Sequence, residues 1–472
     1  MWRRWLLFVL MIVLFAPDSL AIILPCMDDG DCKTGDVPIF EPGGSVPLPP
    51  GSGGPGALEL LLSKQEPYRN ADMGPLGVVI STGEFQITVT DMEIPGRGIP
   101  FRLSRTYRSK KDGLPTIVGY NWQMSYDEYL RPGVYKDLAG TEYNAVEWQQ
   151  GNGFAEVWVE YGIYTPFLGF FGRLREKSSG QDYQIRYPDG TVKTFAQKSA
   201  NAIGQEIWLL TRIEDRNGNV ITLQYKQLDS TAWVIDTVTD TLGRKITFAY
   251  DDNDRLTSVT DFAGREVLYT YDDRGDLVSV RSPAGKTTTY HYLGEDGCVE
   301  EDLKHNIKSI ADGKGQTFLT NKYRSDSQMA CGNPGTPVDS ILSQVYGEQV
   351  PANTVTYIYG SIIPTVPVTA NVATTYVVVE DRNGNVQVHN LNNKGNPTTI
   401  TYRTNRGVRA LAGADEPDYV VTHTYVEDGS MRVSQHTESG GFNVDSSGNL
   451  AAYAEGMTVV YEYIGVRLRL AC

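Results

Sequence analysis

The sequence predicts an all-β protein: an N-terminal β domain followed by antiparallel hairpins stacked edge to edge into a curled ribbon. Three observations predict it. Between residues 240 and 292 the chain repeats every 21 residues, with a Gly and a Tyr held in phase. The composition holds 28 Tyr and 48 Gly, with Thr and Val throughout, which suits strands and the turns between them. Elsewhere apolar and polar residues alternate over short runs bounded by turn residues. With 472 residues the chain is long enough for two or three domains and a sizeable core.

Residues 1–21 read as a secretory signal. Arg3 and Arg4 give the charged start, and Trp5 to Phe15 is an apolar stretch too short to span a bilayer well. Ser19-Leu20-Ala21 places small residues where a signal peptidase checks, so cleavage is expected after Ala21, leaving no stable membrane span. Ordinary export is preferred to the twin-arginine route, because the charged region is short. The chain is therefore expected to be exported: periplasmic, cell-surface or extracellular.

Residues 22–66 are rich in Pro and Gly and read as a linker that cannot bury a core. Gly51, Gly53 and Gly56 match G-x-G-x-x-G, but no strand precedes them and no helix-plus-acid context follows. Leu58 to Ser63 could form a helical turn or two.

Residues 67–175 read as a non-repeating β domain. Val78–Ile80, Phe85–Thr90 and Phe101–Tyr107 have strand character, with a turn at Ile94-Pro-Gly-Arg-Gly98. Trp122, Tyr126 and Tyr129 add aromatic bulk. Trp148, Trp158, Phe167, Phe170 and Phe171 form a second apolar cluster.

Residues 180–325 carry the repeats, starting near Tyr187-Pro-Asp-Gly190. In each clear unit the Tyr lies seven residues after the Gly: Gly218 and Tyr225, Gly243 and Tyr250, Gly264 and Tyr271, Gly285 and Tyr292. Asp215-Arg-Asn-Gly-Asn219 recurs verbatim at Asp381–Asn385, where Leu391 follows Gly384 by seven. Asn-Gly supplies the positive backbone φ angles of a tight hairpin turn. Strand residues then alternate, with Val267, Tyr269 and Tyr271 on one face and Leu268 and Thr270 on the other. Each unit is one hairpin, marginal alone and stable once its edges are paired. Strand twist would curl the stack.

The period loosens in residues 326–472. A hairpin is expected around Asp312-Gly-Lys-Gly315 just before this region, then a loop at Ser325–Thr336. Strands follow at Thr354–Tyr359, Tyr376–Glu380, Val420–Tyr425 and Met457–Tyr463.

The formal net charge of −15 disfavours nucleic acid, phospholipid headgroups and heparin-like glycans as partners. Export permits disulfides. Cys26 with Cys32 and Cys298 with Cys331 are the natural pairs, leaving Cys472 odd; Cys26 could instead be lipidated, although Ile23-Leu24-Pro25 lacks the small residues that processing needs. The five His are scattered, and no Cys–His spacing fits a metal site. Ala284-Gly-Lys-Thr287 looks like the end of a phosphate loop, but Val280 stands where its first Gly would be, and Ala263-Gly-Arg-Glu266 occupies the same slot one repeat earlier. Asp215, Asn217 and Asn219 have calcium-loop spacing without the required Gly and distal Glu. No cofactor, metal or catalytic constellation is expected, and the chain reads as a non-enzyme. Tyr250, Tyr271 and Tyr292 could stack on sugars; their single repeat phase favours packing as cross-strand ladders.

These units resemble the YD repeat of the Rhs family, best seen at Tyr271-Asp-Asp-Arg-Gly-Asp-Leu277. Ser81-Thr-Gly-Glu-Phe85, Asp91, Ile94–Gly98, Arg105-Thr-Tyr107-Arg-Ser109 and Tyr120-Asn-Trp122 with Ser125-Tyr126 resemble the domain that often precedes Rhs repeats. The resemblance implies a β-ribbon wound into a hollow shell, which in many members encloses a C-terminal toxin. It also implies a protein partner or enclosed polypeptide, and for some relatives adhesion or glycan binding. The Asp-Pro-x-Gly core motif of long members is not found after residue 190, so neither autoproteolysis nor toxicity is carried over. The expected function is an exported, non-enzymatic scaffold or partial shell related to bacterial polymorphic-toxin systems. The alternatives are a cell-surface carbohydrate-binding or adhesion module, or a truncated or split part of a toxin-delivery protein.

Overall fold

The computed structural model describes residues 77–471, apart from 112–114, 137–140, 161–163, 167–171, 178–181, 202–203, 229–232, 295–302, 325–339, 349–352, 361–375, 393–394, 404–418, 426–432, 441, 445–449, 453–456 and 465–466. The signal, the linker, all five Cys, Phe167, Phe170, Phe171 and the whole Ser325–Thr336 segment lie outside the described residues. Among the described residues the regular structure is all strand, and no helix is long and apolar enough to cross a membrane.

One long antiparallel sheet dominates. From Arg173–Lys177 to Val433–Gly440 each strand pairs with the next, and Met457–Ile464 and Arg467–Ala471 extend the run. A second run, Tyr129–Lys136 through Tyr164–Pro166, joins it where Trp208 and Leu209 pair with Leu130 and Tyr129. The strand Glu206–Glu214 therefore serves two neighbours along one edge, and the sheet branches there. A separate small sheet is built from Gln86–Ile94, Phe101–Arg108 and Trp122–Met124.

The turns explain the period. In Asp261–Arg265 the Asp261 N–H donates to the Arg265 carbonyl and the Gly264 N–H to the Asp261 carbonyl, at 2.9 and 3.0 Å. Gly264 has φ +75°. This is a three-residue loop ending in a left-handed residue. The same pair of bonds closes the turns at Asp215, Asp240, Asp251, Asp272, Ser282, Asp312 and Asp381. The expected Asn-Gly geometry is corrected here: Gly218 and Gly384 have positive φ, whereas Asn217 and Asn383 do not. A three-residue loop needs only its last residue left-handed, so Asn keeps an ordinary conformation. The expected strand at Val78–Ile80 is also corrected. Val78 makes a single bridge to Phe85, because the chain folds back through a turn at Thr82-Gly83.

Alternation sorts the faces as expected. Val259, Val267, Tyr269, Leu277 and Val280 are buried, while Thr270 is exposed. The buried face of the ribbon and the inner face of the small sheet merge into one core that also takes in Trp148 and Trp158, whose rings lie 6.0 Å apart.

Candidate functional site

The repeat tyrosines point at the backbone. The Tyr250 hydroxyl donates to the Ile235 carbonyl at 2.8 Å, Tyr271 to Leu256 at 2.7 Å and Tyr292 to Leu277 at 2.9 Å. Tyr225 does the same to Leu210, and the offset is 15 residues each time. Burial pushes the Tyr225, Tyr250 and Tyr292 hydroxyls far above their ordinary pKa, so they remain donors.

Each repeat Asp organises its own turn. Asp261 Oδ1 accepts from the N–H of Ala263 and Arg265, and Oδ2 from Arg265 Nε. Asp240 and Asp251 repeat the arrangement with Arg244 and Arg255. At Asp215 the Asn217 and Asn219 N–H and the Asn219 amide take these places. Its carboxylate is therefore engaged in the turn. Ser282–Lys286 is likewise a hairpin turn, followed by the strand Thr287–Tyr292 rather than by the helix that a phosphate loop needs.

The small sheet lies across this ladder. Trp122 Nε1 donates to the Tyr292 hydroxyl at 2.9 Å. The Tyr107 hydroxyl donates to the His305 carbonyl and accepts from the Ile307 N–H, both at 3.0 Å. At the centre the Arg105 guanidinium meets the Asp91 carboxylate at 2.8 Å, with both side chains almost wholly buried. Arg105 also donates to the Tyr290 hydroxyl at 2.9 Å and lies over the Trp122 ring. Asp91 in turn accepts from the Tyr269 hydroxyl at 3.0 Å. Burial alone would lower the Arg105 pKa; Asp91 and the two tyrosines outweigh it, so the guanidinium stays charged.

The contacts run end to end. Gly83 and Thr82 bond Ile341 and Ser340, while Arg97 bonds Thr241 and Asn219. Pro95 accepts from Arg244. The chain from Gly83 to Pro95 reaches about 40 Å if extended, and the ribbon strands from Lys245–Tyr250 to Ile341–Tyr346 span about 34 Å at ~4.8 Å each. The hairpin Gln86–Arg108 is thus a crosspiece set over the ribbon strands. Close approach is allowed by glycine: a β-carbon on Gly119 would sit 2.8 Å from the Gly275 carbonyl oxygen.

Gly218, Gly243, Gly264, Gly285 and Gly384 all occupy left-handed turn positions, and the tyrosines of the same phase form the ladder. Cys26, Cys32, Cys298 and Cys331 lie outside the described residues. Sequence reasoning missed the role of the turn Asp, although it recurs three residues before Gly218, Gly243, Gly264 and Gly384, with Ser282 in its place before Gly285. It also missed the pairing of His423 with His436, which follows only from strand register. Among the described residues no three His, Cys, Asp or Glu side chains group as a metal site.

Residues 77–153 match the family model described as Domain of unknown function (DUF6531), a domain found in Rhs proteins. Residues 237–266 match the model described as RHS Repeat. No curated protein sequence matches the chain. Similar solved structures include the TcdB2-TccC3-Cdc42 crystal structure, at 10% identity and TM-score 0.28, covering 82% of this chain and 24% of that one. Another is the Photorhabdus luminescens Tc holotoxin pore, at 9% identity and TM-score 0.31, covering 82% and 22%. The N-terminal domain of the effector SpvB from Salmonella typhimurium is a third, at 11% identity and TM-score 0.17, covering 79% and 100%. At such TM-scores these likenesses bear no argument, and the chain spans about a quarter of the first two. The Rhs-associated motif falls inside the first matched segment and the turns at Gly243 and Gly264 inside the second, so in those two segments the chain is similar to the Rhs/YD-repeat proteins.

Proposed function

We propose that this chain is an exported, non-enzymatic structural protein, a scaffold or partial shell of the Rhs type that works by holding a protein partner or enclosed polypeptide. The observation that carries the reading is the crosspiece. Its buried ion pair, the Trp122–Tyr292 hydrogen bond and its end contacts tie the small sheet to ribbon strands far away in sequence, which suits a scaffold. The domain division follows: 1–21 a signal, 22–66 a linker, 67–175 the Rhs-associated domain, 180–325 the clear repeats and 326–472 the degenerate ones. A relation to bacterial polymorphic-toxin systems belongs to the same proposal.

Fractionation of producing cells should find the chain outside the cytoplasm and shortened after Ala21. Photo-crosslinking from the exposed Ile358 should give a discrete protein adduct. A full-length cytoplasmic chain, or no adduct, would overturn the export or the scaffold part respectively. A carbohydrate-binding or adhesion role is the second reading, favoured by the exposed rings of Tyr346 and Tyr376. A glycan array should show no binding. Reproducible binding to one sugar class, lost in Tyr346→Ala and Tyr376→Ala, would replace the scaffold reading.

A further inference from the structure

Late in the ribbon the strands Tyr419–Tyr425 and Val433–Gly440 set His423 directly opposite His436. His423 Nε2 lies 3.0 Å from His436 Nδ1. The other nitrogen of His436, Nε2, lies 2.9 Å from Glu438 Oε1. Glu438 also accepts a hydrogen bond from the Tyr419 hydroxyl. Directly paired residues share a face, so these side chains stand on the face that carries buried Ile400 and Val421. An apolar face thus becomes a polar chain of four groups at this hairpin.

Proton accounting distinguishes the two nitrogens of His436. A carboxylate only accepts, so the ring proton faces Glu438 and sits on Nε2. In the neutral ring Nδ1 then presents a lone pair toward His423. A carboxylate behind a histidine whose far nitrogen is held bare is the outer arrangement of a metal-bound histidine. A tetrahedral ion with metal–nitrogen bonds of about 2.0–2.1 Å holds two nitrogens about 3.3 Å apart. An ion could therefore take the place of the shared proton with the rings parting by a few tenths of an ångström. His436 and Glu438 keep 21% and 34% of their side-chain surface exposed, so solvent can reach the pair and complete the coordination.

We propose that His423 Nε2 and His436 Nδ1 bind a divalent transition-metal ion of the imidazole-seeking kind, zinc, nickel or copper, with Glu438 orienting His436 from behind. The site ties the two strands of one hairpin together across their register, and it does not depend on the scaffold reading.

Equilibrium dialysis of the full chain against zinc chloride should retain one zinc per chain. His423→Gln and His436→Gln should each abolish retention, and Glu438→Gln should weaken it about 10–100-fold. His291→Gln, on the strand Thr287–Tyr292, should leave it unchanged. Copper(II) on the unaltered chain should give an electron paramagnetic resonance spectrum with two nitrogen ligands, a readout that needs no variant to fold. No retained zinc, retention indifferent to both histidine substitutions, or a copper spectrum without nitrogen coupling would overturn the site.

Discussion

Gly264 has open space where a β-carbon would stand, so a side chain there meets backbone strain rather than a neighbour. Gly264→Val should cost about 1–2 kcal/mol, the penalty of a left-handed conformation for an L-residue, and more if β-branching adds to it. Thr270 only shares an exposed hydroxyl contact with Ser279, and Thr270→Val should stay within about 0.5 kcal/mol. Equal melting temperatures for the two variants would refute the hairpin role of the glycine. The turn carboxylates make a second residue-scale prediction. Asp215 is held below its ordinary pKa, first by the Asn219 amide. For Asp240, Asp251 and Asp261 burial alone would raise the value, but bonds from the following Arg and the turn N–H groups outweigh it. A carboxyl depressed in the folded state binds fewer protons than its unfolded counterpart. Its contribution is therefore present above the unfolded value of about 3.9 and lost as pH falls through the folded one. Urea midpoints should drop from pH 5 toward pH 2, and Asp261→Asn should flatten part of that drop. An unchanged slope in Asp261→Asn would mean that its turn carries no pH-dependent stability.

At the scale of elements, the crosspiece depends on one buried ion pair. Arg105→Met leaves Asp91 charged and unpartnered by cation, and Asp91→Leu does the converse; each should cost about 3–5 kcal/mol. The double variant should recover part of the loss, because no lone charge then remains buried. Simple additivity in urea denaturation would refute the coupling. Both residues stood in the sequence as separate letters of one motif, and nothing local linked either to the repeats. The partners of Asp91 and Arg105 in the ribbon, Tyr269 and Tyr290, lie 178 and 185 residues away. The alternating strand pattern located Thr354–Tyr359 and Tyr376–Glu380 to the residue, yet neither it nor the 21-residue period says what lies across a strand. The same limit hid the histidine pair. The strand Val420–Tyr425 was legible from its alternation, whereas His436 comes into register only once its partner strand Val433–Gly440 is known. The role of the turn Asp stayed hidden because its Asx bonds are a matter of loop geometry and not of pattern.

For the whole molecule, the single core joining the small sheet to the ribbon implies shared stability. Amide exchange should protect Gln86–Arg108 together with the strands from Lys245–Tyr250 to Thr317–Tyr323 as one cooperative unit. Arg105→Met should raise exchange in both halves at once. Faster exchange confined to the small sheet would show that the ribbon stands without it.

The crosspiece also bears on how such a chain reaches its native state. Its bonds to the ribbon close loops of between 122 and 258 residues. Contacts so distant in sequence slow folding when a complete chain must find them by diffusion. In a chain made or translocated from its N-terminus, however, the crosspiece emerges before any of its partners. Each later hairpin would then meet a waiting apolar template and the open edge of the strand before it, so the ribbon could grow strand by strand in the order of synthesis.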